Sequence, residues 1–515
     1  MPPLGDSGLE AATAADGAYP RLVERFQRLA RFRDAEAILY WDRAVMMPPG
    51  AGEARAAQLA TLDRARHEIL ASEETGALIE AAGAGHGLGP WEVANLREMR
   101  RAHRHATAID EALSAALVTA GAHCEMAWRE ARAKRDFGAV RAEFAELLGL
   151  VREAARAKAA ALGLDPYDAL LDAHDPGLDR AAIDPLFAEL GDFLPALVER
   201  VRARQAAAGG VPTPSGPIPA VRQHALALRM MDVMGVDPAW ARLDTSAHPF
   251  CGGTPEDIRI TTRFDERDFA SGLFAVVHEA GHALYERGLP EGWRDQPVGA
   301  ACGMSMHESQ SLLMEMMVGR SRAFAQFAAP LLREVLGVAG RGWQSDALYR
   351  AFTRIEAGLI RVEADEVSYP LHVIVRYRLE AAMVAGALEA ADLPGAWNEG
   401  MERLLGRVPS HDGEGCLQDI HWYQGAFGYF PAYAIGAALA AQFFTAAIRA
   451  DPEIEPAIGR GDLTRLNAWL ARNVRAKASL PTPRDLVIAA TGKPLDATDL
   501  REHLEARYLE DAAWP

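Results

Sequence analysis

The chain has 515 residues, of which half are hydrophobic and 24% are charged, and its formal net charge is −17. This is the composition of a globular protein with enough apolar residues for a large core. The acidic balance argues against nucleic acid as a partner, because phosphate contacts need clustered Lys and Arg. The four cysteines show no C-x-x-C pair, which favours free thiols and a cytoplasmic location.

The first predicted elements are helices that follow a short N-terminal lead. Residues 1–19 lack the basic and apolar regions of a signal peptide and are predicted to be disordered. From 20 to 208, apolar residues recur at three- and four-residue spacing between charges, which predicts a helical N-terminal part. The Gly- and Pro-rich segment 209–221 is predicted to be a loop. Residues 222–515 then form a catalytic helical part, in one continuous body with the first.

Two later stretches depart from the amphipathic helical pattern. Ile258 and Ile260 alternate with polar residues, which predicts a short strand or hairpin just before a long helix. The segment 427–450 carries a single charge and is long enough to span a membrane. Pro431 and many small residues favour instead a helix buried in a soluble core, so no membrane is expected as a partner. The predicted fold class is mainly α, with a small β-hairpin or sheet.

The clearest chemical signal is the stretch FAVVHEAGHALYERGLP, where His278, Glu279 and His282 form an H-E-x-x-H pattern. Residues i and i+4 of a helix share one face, so both imidazoles can reach one zinc ion. Glu279 points beside the ion, where it can take a proton from a water molecule. Gly281 is unfavourable inside a helix, which predicts that a neighbouring element packs closely there.

A catalytic zinc site needs a third protein ligand and an open fourth position. The acidic candidates after the motif are Glu286, Glu291, Glu308 and Glu315. Glu286 lies too far along the helix axis to complete a tetrahedron easily. Glu308 precedes a run rich in Leu and Met, where a buried carboxylate needs a metal or a partner. Its alternative role is a carboxylate favoured by the dipole at a helix N-terminus, so spacing alone leaves the third ligand open.

Six motifs in a fixed order give the chain a resemblance to a known family. They are HPF at 248–250, DIRIT at 257–261, HEAGH at 278–282, HESQ at 307–310, IRVEAD at 360–365 and GCLQDIHW at 415–422. From about residue 20 to its end, the chain resembles the carboxypeptidase Taq family of zinc metallocarboxypeptidases. The resemblance implies a large single-body helical fold with a deep active-site groove, a zinc or cobalt ion, and a homodimer. It also implies Glu308 as the third metal ligand beside the two histidines, and Glu279 as the general base.

Stabilising the oxyanion of peptide hydrolysis requires a hydrogen-bond donor near the scissile carbonyl. His421, Tyr429 and Tyr433 lie together in the stretch QDIHWYQGAFGYFPAY. We favour His421 with Tyr433 as the catalytic pair, with Tyr429 as the alternative donor or a substrate-binding residue. The alternative for each tyrosine is a buried ring whose hydroxyl has a structural partner.

A carboxypeptidase also has to bind a free C-terminal carboxylate, which the planar fork of an arginine can hold with two hydrogen bonds. Arg361 is our first candidate and Arg259 the second. Each could instead belong to a structural ion pair, with Asp365 and Asp257 as the nearby acidic partners. The resemblance adds His248 as a residue that lines the substrate site.

The predicted function is metal-dependent hydrolysis of the C-terminal peptide bond of peptides, with release of single amino acids and broad specificity. The same ligand pattern also serves zinc oligopeptidases and dipeptidyl carboxypeptidases, which form the second hypothesis. The third hypothesis is a helical scaffold with a vestigial site, and the intact H-E-x-x-H pattern argues against it.

Overall fold

Helices dominate the computed structural model, which describes residues 7–210 and 212–511. The described residues form twenty α-helices: α1 Ser7–Val45, α2 Gly52–Leu70, α3 Glu73–Ala84, α4 Pro90–Thr107, α5 Glu111–Lys134, α6 Arg141–Leu162, α7 Pro166–His174, α8 Arg180–Ala207, α9 Ala220–Met234, α10 Phe269–Gly288, α11 Met304–Leu312, α12 Arg322–Leu336, α13 Ser345–Phe352, α14 Tyr369–Val384, α15 Leu393–Leu405, α16 Pro431–Ala450, α17 Ile454–Ile458, α18 Thr464–Asn473, α19 Pro483–Thr491 and α20 Thr498–Glu505. This confirms the prediction of a mainly α fold.

A small three-stranded sheet precedes the H-E-x-x-H helix. Its strands are β1 Ala241–Thr245, β2 Phe250–Thr254 and β3 Asp257–Thr262, in the order β1-β3-β2. β2 and β3 form the predicted antiparallel hairpin, while β1 pairs in parallel with β3. Ile258 and Ile260 of the central strand are buried, so the alternation in the sequence marks the face that packs on the core.

Helix α10 begins at a capped N-terminus and carries the metal motif on a face pressed against α11. Asp268 caps the helix by accepting a hydrogen bond from the backbone N–H of Ser271 at 3.2 Å. A methyl group at Gly281 would lie 2.4 Å from the carbonyl oxygen of Gln310 and 2.6 Å from Cα of Ser311. The close packing expected at this glycine is therefore confirmed, and the neighbouring element is α11.

Helix α11 is enclosed from its other side by α16. A methyl group at Gly436 of α16 would lie 2.7 Å from Cγ of Glu308, so a second glycine permits this close approach. A π-helical segment, Leu313–Gly319, continues directly from α11. Among the described residues, α16 is the one helix long and apolar enough to cross a membrane, and 72% of its most apolar window is buried inside the protein.

The N-terminal helices pack directly on the catalytic part. Tyr19 is buried, and its hydroxyl accepts a hydrogen bond from Asn95 at 3.1 Å. The same amide also donates to Gln296 at 3.0 Å, beside the segment that leads into α11. Residues 1–6 lie outside the described residues, but α1 begins at Ser7. The predicted disordered lead of residues 1–19 is therefore too long, because the Ala-rich run already belongs to α1 and its end packs on α4.

Candidate metal centre and active site

Three side chains from α10 and α11 converge on one point. The ligand atoms of His278, His282 and Glu308 all lie within 4.8 Å of one another. Oε2 of Glu308 is 3.4 Å from Nε2 of His282 and 3.9 Å from Nε2 of His278. Two ligands about 2.1 Å from one tetrahedral ion lie about 3.4 Å apart. The donor set and its spacing therefore fit a divalent metal ion, and Glu308 meets the two histidines as expected.

The outward-facing nitrogen of His278 is held by a carboxylate. Its Nδ1 lies 3.0 Å from Oε2 of Glu315, whose other oxygen accepts a hydrogen bond from Arg320 at 2.8 Å. Burial raises the pKa of Glu315, but His278 and Arg320 outweigh this and lower it to about 2. Glu315 is thus a fully charged outer partner of His278, and this contact leaves Nε2 of the ring free for a metal ion.

His282 is hydrogen-bonded to the imidazole ring of His307. Its Nδ1 lies 2.6 Å from Nδ1 of His307, and Nε2 of His307 lies 2.8 Å from Oε1 of Glu286. Glu286, a candidate ligand by spacing, therefore reaches the metal centre only through His307. Glu291, the remaining candidate, has an exposed side chain in the turn after α10.

Glu279 is buried next to the ligand cluster, with 6% of its surface exposed. Burial raises its pKa to about 7, against the opposing positive charge of His278, and the carboxylate of Glu308 raises it further. A carboxylate with a pKa near 7 can both accept and return a proton at neutral pH. The side chain predicted as the general base thus lies beside the three ligands, in surroundings with little access to water.

The three predicted oxyanion donors lie together at the start of α16. The hydroxyl of Tyr433 is 3.4 Å from Nε2 of His421, and it also interacts with the hydroxyl of Tyr429. Tyr433 is one turn before Gly436, so it faces the same side of α16 as the contact with Glu308. Burial lowers the pKa of His421 to about 4, which keeps this ring neutral.

Arg361 is buried beside Tyr433, and one edge of its guanidinium is already engaged. Both Nε and Nη2 donate to Oδ1 of Asp419, at 3.2 and 2.8 Å, and the guanidinium lies 4.7 Å from the ring centre of Tyr433. The other oxygen of Asp419 accepts from Arg376. The expected partner, Asp365, instead accepts backbone hydrogen bonds in its own loop. Both N–H groups of Nη1 and the second N–H of Nη2 are not used in these hydrogen bonds, so the Nη1–Nη2 end of the guanidinium can still offer a two-bond fork to a carboxylate.

Arg259 and His248 are predicted site residues that lie away from the metal ligands. Arg259 lies in β3, where Asp257 accepts two hydrogen bonds of 2.6 Å from its guanidinium. Its guanidinium also covers the ring of Trp41 at 4.3 Å. His248 has an exposed side chain in the loop between β1 and β2. Within the described part of the chain, neither contacts the three converging ligands directly.

The structure adds Tyr369, which the sequence did not single out, and it gives Glu315 a role other than that of a ligand. Tyr369 is buried beside Tyr433, with ring centroids 6.4 Å apart. Burial raises the pKa of Tyr369 well above its usual range, and the carboxylate of Glu308 raises it further. No sequence pattern marks this tyrosine. Glu315, a candidate ligand in the sequence, instead contacts Nδ1 of His278 from the π-helical segment that follows α11.

A cavity of about 280 Å³ adjoins the metal centre on the side of β2. His307 and Glu286 form its wall next to the metal ligands, and Cys251 lies in the strand that borders it. Arg33 of α1 and Arg294 line it from the opposite side. The cavity is large enough for one amino-acid side chain, and the N-terminal helix α1 contributes to it.

A helical body in which H-E-x-x-H and a distant glutamate converge beside a buried carboxylate and a His–Tyr pair defines a metallopeptidase. The family model described as carboxypeptidase Taq (M32) metallopeptidase matches residues 21–508. The chain belongs to this family and is a metallocarboxypeptidase.

Curated and solved relatives agree with this assignment. Thermostable carboxypeptidase 1 of Thermus thermophilus is 38% identical over 96% of this chain and 98% of its own length. The solved structure of metallocarboxypeptidase 1 of Trypanosoma cruzi matches with a TM-score of 0.93 and 38% identity, over 96% of this chain and 99% of that one. The M32 carboxypeptidase of Deinococcus radiodurans matches with a TM-score of 0.90 and 35% identity, over 97% and 99% of the two chains.

Proposed function

We propose that this carboxypeptidase is a zinc enzyme which releases single amino acids from the C-termini of peptides, with Glu279 as its general base and broad specificity. The observation that carries the proposal is the convergence of His278, His282 and Glu308 next to the buried side chain of Glu279. Two imidazoles and one carboxylate form a common ligand set of catalytic zinc. Cobalt accepts the same ligands, so it is the alternative ion.

The two histidines and Glu308 would hold the ion, which supplies polarisation of the scissile carbonyl and a more acidic water when bound. Glu279 removes the proton of the attacking water. Its burial keeps competing solvent away, and its pKa allows it to pass the same proton to the departing amine.

Tyr433 and His421 are proposed as donors to the oxygen that becomes negative in the transition state. Burial raises the pKa of Tyr433 to about 12, so its hydroxyl keeps its proton. The neutral ring of His421 lies 3.4 Å from that hydroxyl and can orient it. Tyr429, whose hydroxyl interacts with that of Tyr433, would support the pair or contact the substrate.

Arg361 is proposed to bind the terminal carboxylate of the peptide through the Nη1–Nη2 end of its guanidinium. The contact with Asp419 fixes the orientation of the guanidinium, and its Nη1–Nη2 end can donate two charge-assisted hydrogen bonds to a carboxylate. Arg259 and His248 remain secondary candidates, and each would require a substrate that extends towards the sheet.

Product analysis by mass spectrometry tests this function. The substrates are two peptides of one sequence, one with a free C-terminus and one amidated. The proposal expects stepwise loss of single residues from the free peptide and little cleavage of the amide. Removal of dipeptides, or equal cleavage of both substrates, would support the oligopeptidase or dipeptidyl carboxypeptidase reading instead.

Two variants assign the roles in this assay. Glu279→Gln is expected to lower kcat about 10²- to 10⁴-fold while the protein still binds zinc. Arg361→Met is expected to raise KM for the free peptide and to leave the slow cleavage of the amide unchanged. Hydrolysis by Glu279→Gln at the wild-type rate would remove the general base from the mechanism.

We also propose a cytoplasmic homodimer that binds neither membranes nor nucleic acid. The four cysteines are unpaired in the structure, as in a reducing compartment, and the net charge of −17 disfavours contact with phosphate-rich polymers. The dimer is an expectation from the family. Light scattering after size exclusion measures the oligomeric state, and metal analysis of protein purified from its native cells identifies the ion.

A further inference from the structure

His282, His307 and Glu286 form a chain of hydrogen-bonded side chains that leads away from the metal centre. The arrangement differs from that at His278, which contacts a carboxylate directly. Glu315 contacts His278 directly, whereas His307 is inserted between His282 and Glu286. His282 and Glu286 are one helical turn apart on α10, so they share a face. The ring of His307 comes from α11 and fills the space between them.

The distances in this chain fix where the protons lie. A separation of 2.6 Å between the two Nδ1 atoms is a hydrogen bond, so one of them carries a hydrogen and the other accepts it. Nε2 of His282 faces Glu308 at 3.4 Å, and a metal ligand must offer a lone pair there. His282 is therefore the donor through Nδ1–H, and His307 accepts this hydrogen at Nδ1. The remaining hydrogen of His307 is on Nε2, from which it is donated to Glu286 at 2.8 Å.

Two neighbouring aromatic rings also pack against the ring of His307. The ring of Tyr285 packs against it with centroids 5.3 Å apart, and the ring of His282 does so at 4.6 Å. The hydroxyl of Tyr285 is fixed by the backbone N–H of Cys302 at 3.2 Å. His307 therefore has little freedom to rotate, and its hydrogen bond to His282 restricts the rotation of that ring as well.

We infer that His307 and Glu286 are positioning residues which fix the tautomer and the ring orientation of His282 for metal binding. The inference rests on the proposed metal centre and adds to it a carboxylate–imidazole–imidazole relay. His307 and Glu308 are consecutive in α11. One residue of this pair thus completes the ligand set, while its neighbour orients a ligand on the facing helix.

The test separates metal binding from folding. Zinc affinity is measured by competition with a chromophoric chelator, the stability of the metal-free protein by urea unfolding, and the ligand geometry by the visible absorption of the cobalt-loaded protein. The variants are His307→Phe, which keeps a ring but removes both hydrogen bonds, and Glu286→Gln, which keeps an acceptor but removes the charge. Glu315→Gln perturbs the corresponding partner of His278, and Glu291→Gln is the matched control on an exposed turn.

His307→Phe is expected to weaken zinc binding about 10- to 100-fold and to change the cobalt spectrum, with a small effect on the urea midpoint of the metal-free protein. Glu286→Gln is expected to weaken zinc binding less, but at least about threefold, and it decides the question if the Phe variant does not fold. Zinc affinities within twofold of wild type in both variants would overturn the relay, even if stability falls, because the contacts would then serve folding alone. Failure of the wild-type protein to bind zinc would instead refute the proposed metal centre itself.

Discussion

Gly281→Ala tests whether the close approach of α10 and α11 sets the geometry of the metal centre. The added methyl would lie 2.4 to 2.8 Å from backbone atoms of Gln310 and Ser311, where ordinary contact begins at 3.4 Å. Backbone atoms inside a helix cannot rotate away as a side chain can. The two helices must therefore separate locally by up to about 1 Å.

The expected cost combines two opposing terms. Overpacking of this kind destabilises a protein by about 1–3 kcal/mol, whereas Ala is favoured over Gly in a helix by about 1 kcal/mol. We expect a net loss of up to about 2 kcal/mol. The larger effect falls on the metal, because Glu308 lies two residues before Gln310 and moves with α11. Ligand distances tolerate about 0.2 Å, so a shift of up to about 1 Å is expected to weaken zinc binding at least about tenfold.

Gly149→Ala is the matched control, since Gly149 lies within α6 and has no atom within 4 Å of an added methyl. This variant is expected to gain up to about 1 kcal/mol and to bind zinc normally. Urea unfolding of the metal-free proteins and chelator competition give both quantities. The reasoning is refuted if Gly281→Ala is stabilised like the control and keeps wild-type zinc affinity.

Three further predictions address the neighbouring helices. Gly436→Ala adds a methyl 2.7 Å from Cγ of Glu308, so zinc affinity measured by chelator competition is expected to fall at least about tenfold; unchanged affinity would contradict the close contact. Tyr433→Phe is expected to lower kcat about 10²- to 10³-fold with little change in KM, and a wild-type kcat would exclude it as the oxyanion donor. Burial raises the pKa of Glu380 to about 7, against hydrogen bonds that lower it. Between about pH 4.5 and 7, the folded protein therefore binds a proton that the unfolded chain releases. This proton stabilises the folded state, and the stabilisation is lost as the pH rises towards and beyond 7. Between pH 5 and pH 8, the free energy of unfolding of wild type is expected to fall relative to Glu380→Gln by about 2.5 kcal/mol. Urea unfolding at both pH values measures this difference, and a difference that does not change with pH would refute the raised pKa.

Local sequence patterns predicted those parts of the site that lie on one element. The i, i+4 spacing of the two histidines needs only the geometry of one helix, and the cost of Gly281 within it indicated a close neighbour. The alternation around Ile258 likewise predicted the hairpin, although the parallel partner β1 gave no comparable signal. In the N-terminal lead, the sequence pattern did not reveal helix α1, in which Ala18 and Tyr19 pack into a hydrophobic cluster with α3 and α4.

Contacts between distant segments could not be predicted in the same way. Asp419 lies 58 residues after Arg361, and no spacing rule distinguishes it from the nearer Asp365. Tyr369 could be recognised as a site residue only from the structure, in which the start of α14 places its ring beside that of Tyr433. The role of Glu286 depends on His307, which comes from another helix, so the same carboxylate looked like a poor ligand in the sequence and is an outer partner in the structure.

Helix α16 supplies the wall behind Glu308 and is also the most apolar long segment among the described residues. If it detached during heating, about twenty largely uncharged residues would face water at once, and such surfaces self-associate faster than they dock again. The same event would remove the support of the metal ligand. Any unfolding event that detached α16 would therefore couple the loss of activity to precipitation.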